Sequence, residues 1–264
     1  MKPRRTLNFT LSVYVILIFL FVFAPIFFSV IFSFNSQRFP TIPLGNFSTE
    51  WYVKILNDPD IWQAALNSLI VSSSTAVIAT ILGFCTAYSD YRYNFKFKGP
   101  YLALILLPPT IPLIIMALAM LAWLSKIGMS GQLWSIILAH SVLCAPFAMA
   151  VIRLRLNQMD PDLESASWNL GGTEWATMRH VILPFCKPSI ISALCLSAAV
   201  SFDEFAVSWF VSGLNKTLPV MILEIVQGNI DPQVNAIGSF VFLISMTLVI
   251  LAQVFFLSRQ MKGT

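Results

Sequence analysis

Apolar residues run along this chain in long blocks, separated by short segments rich in proline, asparagine and charge. A hydrocarbon layer about 30 Å thick needs roughly 20 apolar residues of helix. Six blocks reach that length, at about 11–34, 62–88, 101–124, 133–152, 188–212 and 236–257. The pattern predicts an all-α membrane protein with six transmembrane helices in one transmembrane domain over 1–264. The third block holds Pro108, Pro109 and Pro112, which must kink it and free carbonyls for other partners. These prolines either line a cavity or shape packing. Arg4 and Arg5 precede the first block, whose apolar core is too long for a secretory h-region and lacks a small-residue cleavage site. The pair therefore reads as an anchor.

Lysine and arginine set the orientation of such spans. One set of ends carries Lys2, Arg4, Arg5, Arg92, Lys96, Lys98, Arg153, Arg155, Arg179, Lys187, Arg259 and Lys262. The other carries Arg38, Lys54, Lys126 and Lys216. Twelve against four, alternating correctly across six spans, predicts both termini in the cytoplasm.

Composition excludes whole classes. Charged residues are 11% of the 264, against roughly 25% for soluble domains. Apolar types make up 57% and the mean hydropathy is +0.78, so lipid must be the solvent for most of the surface. The net charge of +4 forms no basic stripe, so no nucleic-acid partner is expected. Cys85, Cys144, Cys186 and Cys195 show no C-x-x-C spacing and read as small buried hydrophobes. His140 and His180 stand alone in sequence, and no metal site is expected.

The cytoplasmic stretch 153–187 is the longest polar segment on the inner side. Asp160-Pro161 is a helix start, Asp162 and Glu164 place negative charge in the first turn, and Gly171-Gly172 is a stop. Leu163, Ala166, Ser167 and Leu170 share one face at i, i+3, i+4 and i+7. Thr173-Glu174 caps a second helix, predicted to end near Pro184. Such a short helix buries little by itself. It is either a knob for another protein's groove or a re-entrant turn packed on its own bundle.

The run Asp160-Pro161-Asp162-Leu163-Glu164-Ser165-Ala166-Ser167-Trp168-Asn169-Leu170-Gly171, followed by Val181-Ile182-Leu183-Pro184, resembles the Glu-Ala-Ala loop of ABC-transporter permeases. Gly171 and Pro184 match at the family spacing, whereas Ser165-Ala166-Ser167 replaces Glu-Ala-Ala, and Glu164 precedes the register by one. Phe34-Asn35-Ser36, Glu50-Trp51-Tyr52, Ser201-Phe202-Asp203-Glu204, Phe210-Val211-Ser212-Gly213, Leu218-Pro219 and Asp231-Pro232-Gln233-Val234-Asn235-Ala236 look like the second membrane subunit of spermidine/putrescine importers. The resemblance implies a type I importer permease fold in a bacterial inner membrane. It implies a coupling helix carrying Leu163, Glu164, Ser165, Ala166, Ser167, Leu170 and Gly171, with Pro184 closing the motif. It also implies a homologous second permease subunit, two copies of a cytoplasmic ATPase that bind the ATP and Mg, and a periplasmic binding protein meeting outer loops 35–61 and 213–235. Relatives on this scaffold move ferric iron and organophosphonates as well as polyamines. The chain itself has no Walker A sequence and is expected to bind no cofactor.

Asp203-Glu204 is the conspicuous charge in the fifth block. A charge at the centre of a spanning helix costs about 2.5–3.5 kcal/mol on insertion scales, less near the interface. The pair either reaches the outer headgroups or forms a cation site facing the bundle interior. In the second case Phe202, Phe205 and Trp209 offer aromatic walls for a polyamine's ammonium and methylene groups; Trp209 also suits a membrane-interface position. A membrane-embedded enzyme would need a nucleophile-base pair or metal ligands, and a secondary transporter would usually show duplicated halves. Neither pattern is visible in the sequence.

Overall fold

The computed structural model describes residues 3–37, 45–160, 162–228, 232–243 and 246. The later part of the sixth block, with Arg259 and Lys262, lies outside the described residues, as do Lys2, Arg38 and Pro161. The described chain is helical: α1 Pro3–Ser33, α2 Glu50–Leu56, α3 Pro59–Arg92, α4 Lys98–Leu106, α5 Leu113–Lys126 and α6 Leu133–Leu156. Then follow α7 Asp162–Asn169, α8 Glu174–Thr177, α9 Leu183–Asp203, α10 Ala206–Val211 and α11 Leu218–Gly228, and α12 Gln233–Leu243. Among the described residues, four helical runs are long and apolar enough to cross a bilayer: Phe9–Ser33, Pro59–Arg92, Leu133–Leu156 and Glu174–Asp203.

Local chemistry explains the starts. Asp58 Oδ1 accepts from the amides of Asp60 (2.9 Å) and Ile61 (3.4 Å), and Pro59 opens α3. Gln132 and Ser135 form a reciprocal capping box at the head of α6.

Two predicted spans are corrected. The third is not one kinked helix. The structure has α4, a 3-10 turn at Pro108–Thr110, an extended Ile111 and then α5. Pro108, Pro109 and Pro112 each lack an amide proton and crowd the preceding turn, so together they break the ladder. The fifth span begins earlier and stops sooner than predicted. Helix runs on from Glu174 through a π turn at Met178–Ile182 into α9, so Pro184 does not end it. A π turn just before the proline widens the ladder where the ring would otherwise meet a carbonyl. The chain then leaves the helix at Glu204, whose backbone is extended.

The fold consists of two compact units, residues 1–61 with 222–264, and residues 62–221. In the first, Ser33 Oγ meets Tyr52 Oη (2.7 Å), Trp51 Nε1 donates to the Asn35 carbonyl (2.9 Å), and the Phe34 ring packs on Phe47 and Tyr52. Two of the short motifs singled out in sequence, Phe34-Asn35-Ser36 and Glu50-Trp51-Tyr52, thus fold onto each other. Ser29 Oγ also donates to Asn235 Oδ1 (3.3 Å).

The second unit is built on α6. Its residues His140, Cys144, Ala148, Ile152 and Leu156, four apart, are all fully buried. On α9 the buried stripe is Ser189, Ala193, Ser197 and Ser201, also four apart. His140 meets Ser201, Cys144 meets Ser197 and Arg155 meets Phe185, so the two helices run antiparallel. Small side chains on one ridge let the larger ones opposite approach closely. One apolar cluster joins α3, α5, α6 and α10 through Val71, Leu124, Ile136 and Val207. A second joins α3, α6 and α9 through Ala87, Met149, Ile152 and Ala193. The cysteines are free, but only Cys144 and Cys186 are buried; Cys85 and Cys195 are exposed, contrary to the sequence expectation.

α3 crosses α6 at Gly83, where a Cβ would stand 2.6 Å from the Met149 amide nitrogen. Gly83→Ala is therefore expected to destabilise the subunit by about 1–3 kcal/mol through overpacking. Gly99→Ala, whose Cβ meets nothing within 4 Å, should be silent. Thermal unfolding of the two variants in detergent checks the difference.

Candidate functional site

Two constellations carry chemistry. The first is the loop containing α7 and α8. Asp160 Oδ1 accepts from the Asp162 amide (3.0 Å), as its position before the helix requires. At the other end Gly171 has φ of +82°, its amide donates to the Trp168 carbonyl (2.9 Å), and the Gly172 amide reaches back to Ser167 (2.9 Å). This is a Schellman stop. Both glycines are needed: a Cβ on Gly172 would sit 2.7 Å from Ser167 Oγ. Thr173 Oγ1 caps α8 by accepting from the Ala176 amide (3.2 Å).

The predicted face divides. Leu163, Ser165, Ala166 and Leu170 are exposed, Leu170 to 90%. Ser167 turns inward, where its hydroxyl meets Thr177 Oγ1 (2.8 Å) and ties α7 to α8. Glu164 is only 5% exposed and faces Arg92 at the end of α3, with Oε2 3.7 Å from Arg92 Nε. The same guanidinium lies over the Trp168 ring, 4.8 Å from its centroid. Glu164 thus anchors α7 inward, and the exposed face carries Ser165 and no carboxylate from Glu164. Pro184 lies in the first turn of α9, on a different element from that face.

A further anchor was not anticipated. Asp90 is buried near the end of α3 and pairs with Arg153 Nε of α6 (2.5 Å) and Lys98 Nζ of α4 (3.2 Å). An acid among the basic residues that close the second block was the signal available in sequence. Its pairing links three helices where the charged loops begin.

The second constellation is the break between α9 and α10. Asp203 ends α9 and is exposed. Glu204 is 8% exposed, and its carboxylate supplies acceptors for the first turn of α10. Oε1 accepts from the Ala206 amide (3.0 Å); Oε2 accepts from the amides of Val207 (2.9 Å) and Ser208 (3.3 Å). These are the donors a helix start leaves unsatisfied. His140 Nε2 lies 3.3 Å from the same Oε2 and 3.0 Å from Ser208 Oγ. Its Nδ1 is 2.8 Å from Ser201 Oγ. His140 is therefore not solitary, as its sequence setting suggested, but the centre of a buried polar network. The signal was a histidine inside an apolar block, where a polar side chain must find a partner.

The two acids are placed differently. Glu204 is committed to the backbone of α10, and Asp203 makes no hydrogen bond or ion pair among the described residues. Phe205 and Trp209 are exposed beside it, Phe202 is half-buried, and Phe210 packs on the α5–α6 cluster. Among the described residues no group of histidine, cysteine or carboxylate side chains could hold a metal ion.

The chain thus combines a capped loop with an exposed face and a helix break beside one exposed carboxylate. The fold agrees with that of a bacterial alginate ABC transporter solved in complex with alginate pentasaccharide-bound periplasmic protein: TM-score 0.77, 16% identity, 94% of this chain and 93% of that one. The chain belongs to the family described as binding-protein-dependent transport system inner membrane component, whose profile matches residues 79–261. It is 34% identical, over 93% of its length and 95% of the relative's, to the spermidine/putrescine transport system permease protein PotC of Haemophilus influenzae. To the putrescine transport system permease protein PotI of Escherichia coli it is 32% identical, over 84% of this chain and 82% of the relative. It is thus a multi-pass membrane protein and a transport subunit of the ABC class.

Glu204→Ala would leave the amides of residues 206–208 without their acceptor, at a cost of about 1–3 kcal/mol for an unsatisfied buried group. Asp203→Asn, at an exposed position, should leave stability unchanged. Comparing the thermal midpoints of the two purified variants checks the division of labour.

Proposed function

We propose that this chain is one of two permease subunits of an ATP-driven importer in a bacterial inner membrane, and that it lines the passage for spermidine and putrescine. It has six spans with both termini in the cytoplasm, in the type I importer arrangement. A periplasmic binding protein delivers the substrate, and two copies of a cytoplasmic ATPase, holding ATP and Mg, supply the work. The likeness to the spermidine/putrescine permease over 93% of the chain carries this reading.

The residues give it a mechanism. Polyamines carry ammonium groups joined by methylenes. The exposed Asp203 carboxylate offers one ammonium a charge-assisted hydrogen bond, and Phe205 and Trp209 offer ring faces and apolar contact. One available carboxylate suits a route, because a site built to hold several charges would retain its cargo. At the cytoplasmic side Leu163, Ala166 and Leu170 enter a cleft of the ATPase while Glu164 and Arg92 fix α7 to α3 from behind.

Uptake by the complete complex, competed with spermidine, putrescine, ferric iron and aminoethylphosphonate, tests the substrate class. Inhibition by the two polyamines is expected, and inhibition confined to the other two compounds would overturn it. Asp203→Asn should lower polyamine uptake about tenfold with the complex intact. Ala166→Arg places a long cation in the docking face and should abolish substrate-stimulated ATP hydrolysis while the membrane subunits still insert.

A further inference from the structure

The network around His140 fixes one proton, that on Nε2. Ser208 Oγ is 3.2 Å from the Glu204 carbonyl and donates to it, so this hydroxyl must accept at its other contact. The group facing it is His140 Nε2, which therefore carries the proton and points at both Ser208 Oγ and Glu204 Oε2. Nδ1 accepts from Ser201 Oγ in the neutral ring and donates to it in the imidazolium, and either way the Nε2 proton stays in place. This assignment satisfies each member and follows from the heavy-atom geometry.

The placement of those bonds matters. Ser201 belongs to α9, Ser208 to α10, and Glu204 is the extended residue between them. A single ring on α6 holds both sides of the break and the residue that makes it. An apolar side chain of similar volume would fill the same space but would hold neither side chain. The network also decides which acid is available: the same Oε2 that accepts from the α10 amides faces the Nε2 proton.

We propose that His140 is a positioning residue for transport: through its Nε2 proton it keeps Glu204 in the cap of α10, so that Asp203 alone is presented to the passing cation. The inference rests on the reading of Asp203 as a pathway carboxylate. Without the Nε2 donor, Glu204 loses its side-chain partner and can join Asp203 in the passage. Two carboxylates hold a polyvalent cation longer than one, and turnover slows.

Glutamine and asparagine separate this from a general need for a polar residue. The Gln amide nitrogen reaches the place of Nε2, whereas that of Asn stops near the place of Nδ1. In the complete complex reconstituted in vesicles, His140→Gln should keep at least half of the maximal spermidine uptake. His140→Asn should lower it about tenfold, with the half-saturating concentration of loaded binding protein changed less than twofold. Equal behaviour of the two amides overturns the inference, whether both transport, both fail or both lose the complex. So does a better performance by His140→Asn. Asp203→Asn measured in parallel distinguishes the premise: normal uptake in that variant removes the pathway reading itself, whatever the two amides do.

Discussion

Lipid tails are as apolar as leucine, so burying a leucine between two helices in a bilayer gains little over leaving it in lipid. Helices in this solvent are held instead by close backbone approach and by hydrogen bonds that have nowhere else to go. The contact of α6 with α9 meets both conditions. Small residues recur every fourth position on α9, from Ser189 to Ser201, and fully buried residues recur every fourth position on α6. Where the two stripes reach their last common level, His140 replaces an apolar side chain and bonds to Ser201. The other named features of this unit are arranged around that seam: α3 presses on α6 at Gly83, and α10 is bonded to α6 through Ser208.

Carboxylates in this unit follow a common rule. Asp90, Glu164 and Glu204 are buried, and each is paired across elements: Asp90 with α4 and α6, Glu164 with the end of α3, Glu204 with the amides of α10. Removing one partner of such a pair strands the other in a medium that cannot solvate it, which is why these groups fix geometry. Next to two of them stands an exposed neighbour. Ser165 follows Glu164, and Asp203 precedes Glu204. In both places the buried member is anchored to another element and its neighbour is exposed. The adjacent acids Asp203 and Glu204 thus separate into an exposed and an anchored member.

Much of this was legible in the residues alone. Long apolar blocks marked α1, α3 and α6 within a few positions, and Asp160, Gly171 and Thr173 act at the helix ends as their types and spacing require. Those features depend on local backbone satisfaction, which a single sequence records. Three others did not show. The break at Glu204 falls inside a continuous apolar block, and hydropathy does not register a carboxylate that turns back onto amides ahead of it. Pro184 read as a terminator because nothing in the residues announces a π turn upstream. Ser167 seemed to share the outer face of α7 because its inward bond is to Thr177, on the other side of the glycine stop. Each of these depends on where a second segment lies.

The geometry also bears on how work delivered at α7 would reach the cargo. From Glu174 to Asp203 the backbone is helical for 30 residues, about 45 Å at 1.5 Å per residue. One end lies beside the face carrying Leu163 and Leu170, and the other end is the exposed carboxylate. A helix of that length shifts as a rod more readily than it stretches. The π turn at Met178–Ile182 and Pro188 weaken the ladder near the α8 end and set where the rod bends first. At its far end the helix stops at a break whose two sides are both held by His140 of α6, through Ser201 and Ser208. A continuous helix through residue 212 would bond the amides of residues 206–208 to carbonyls of the preceding turn and leave the Glu204 carboxylate without them.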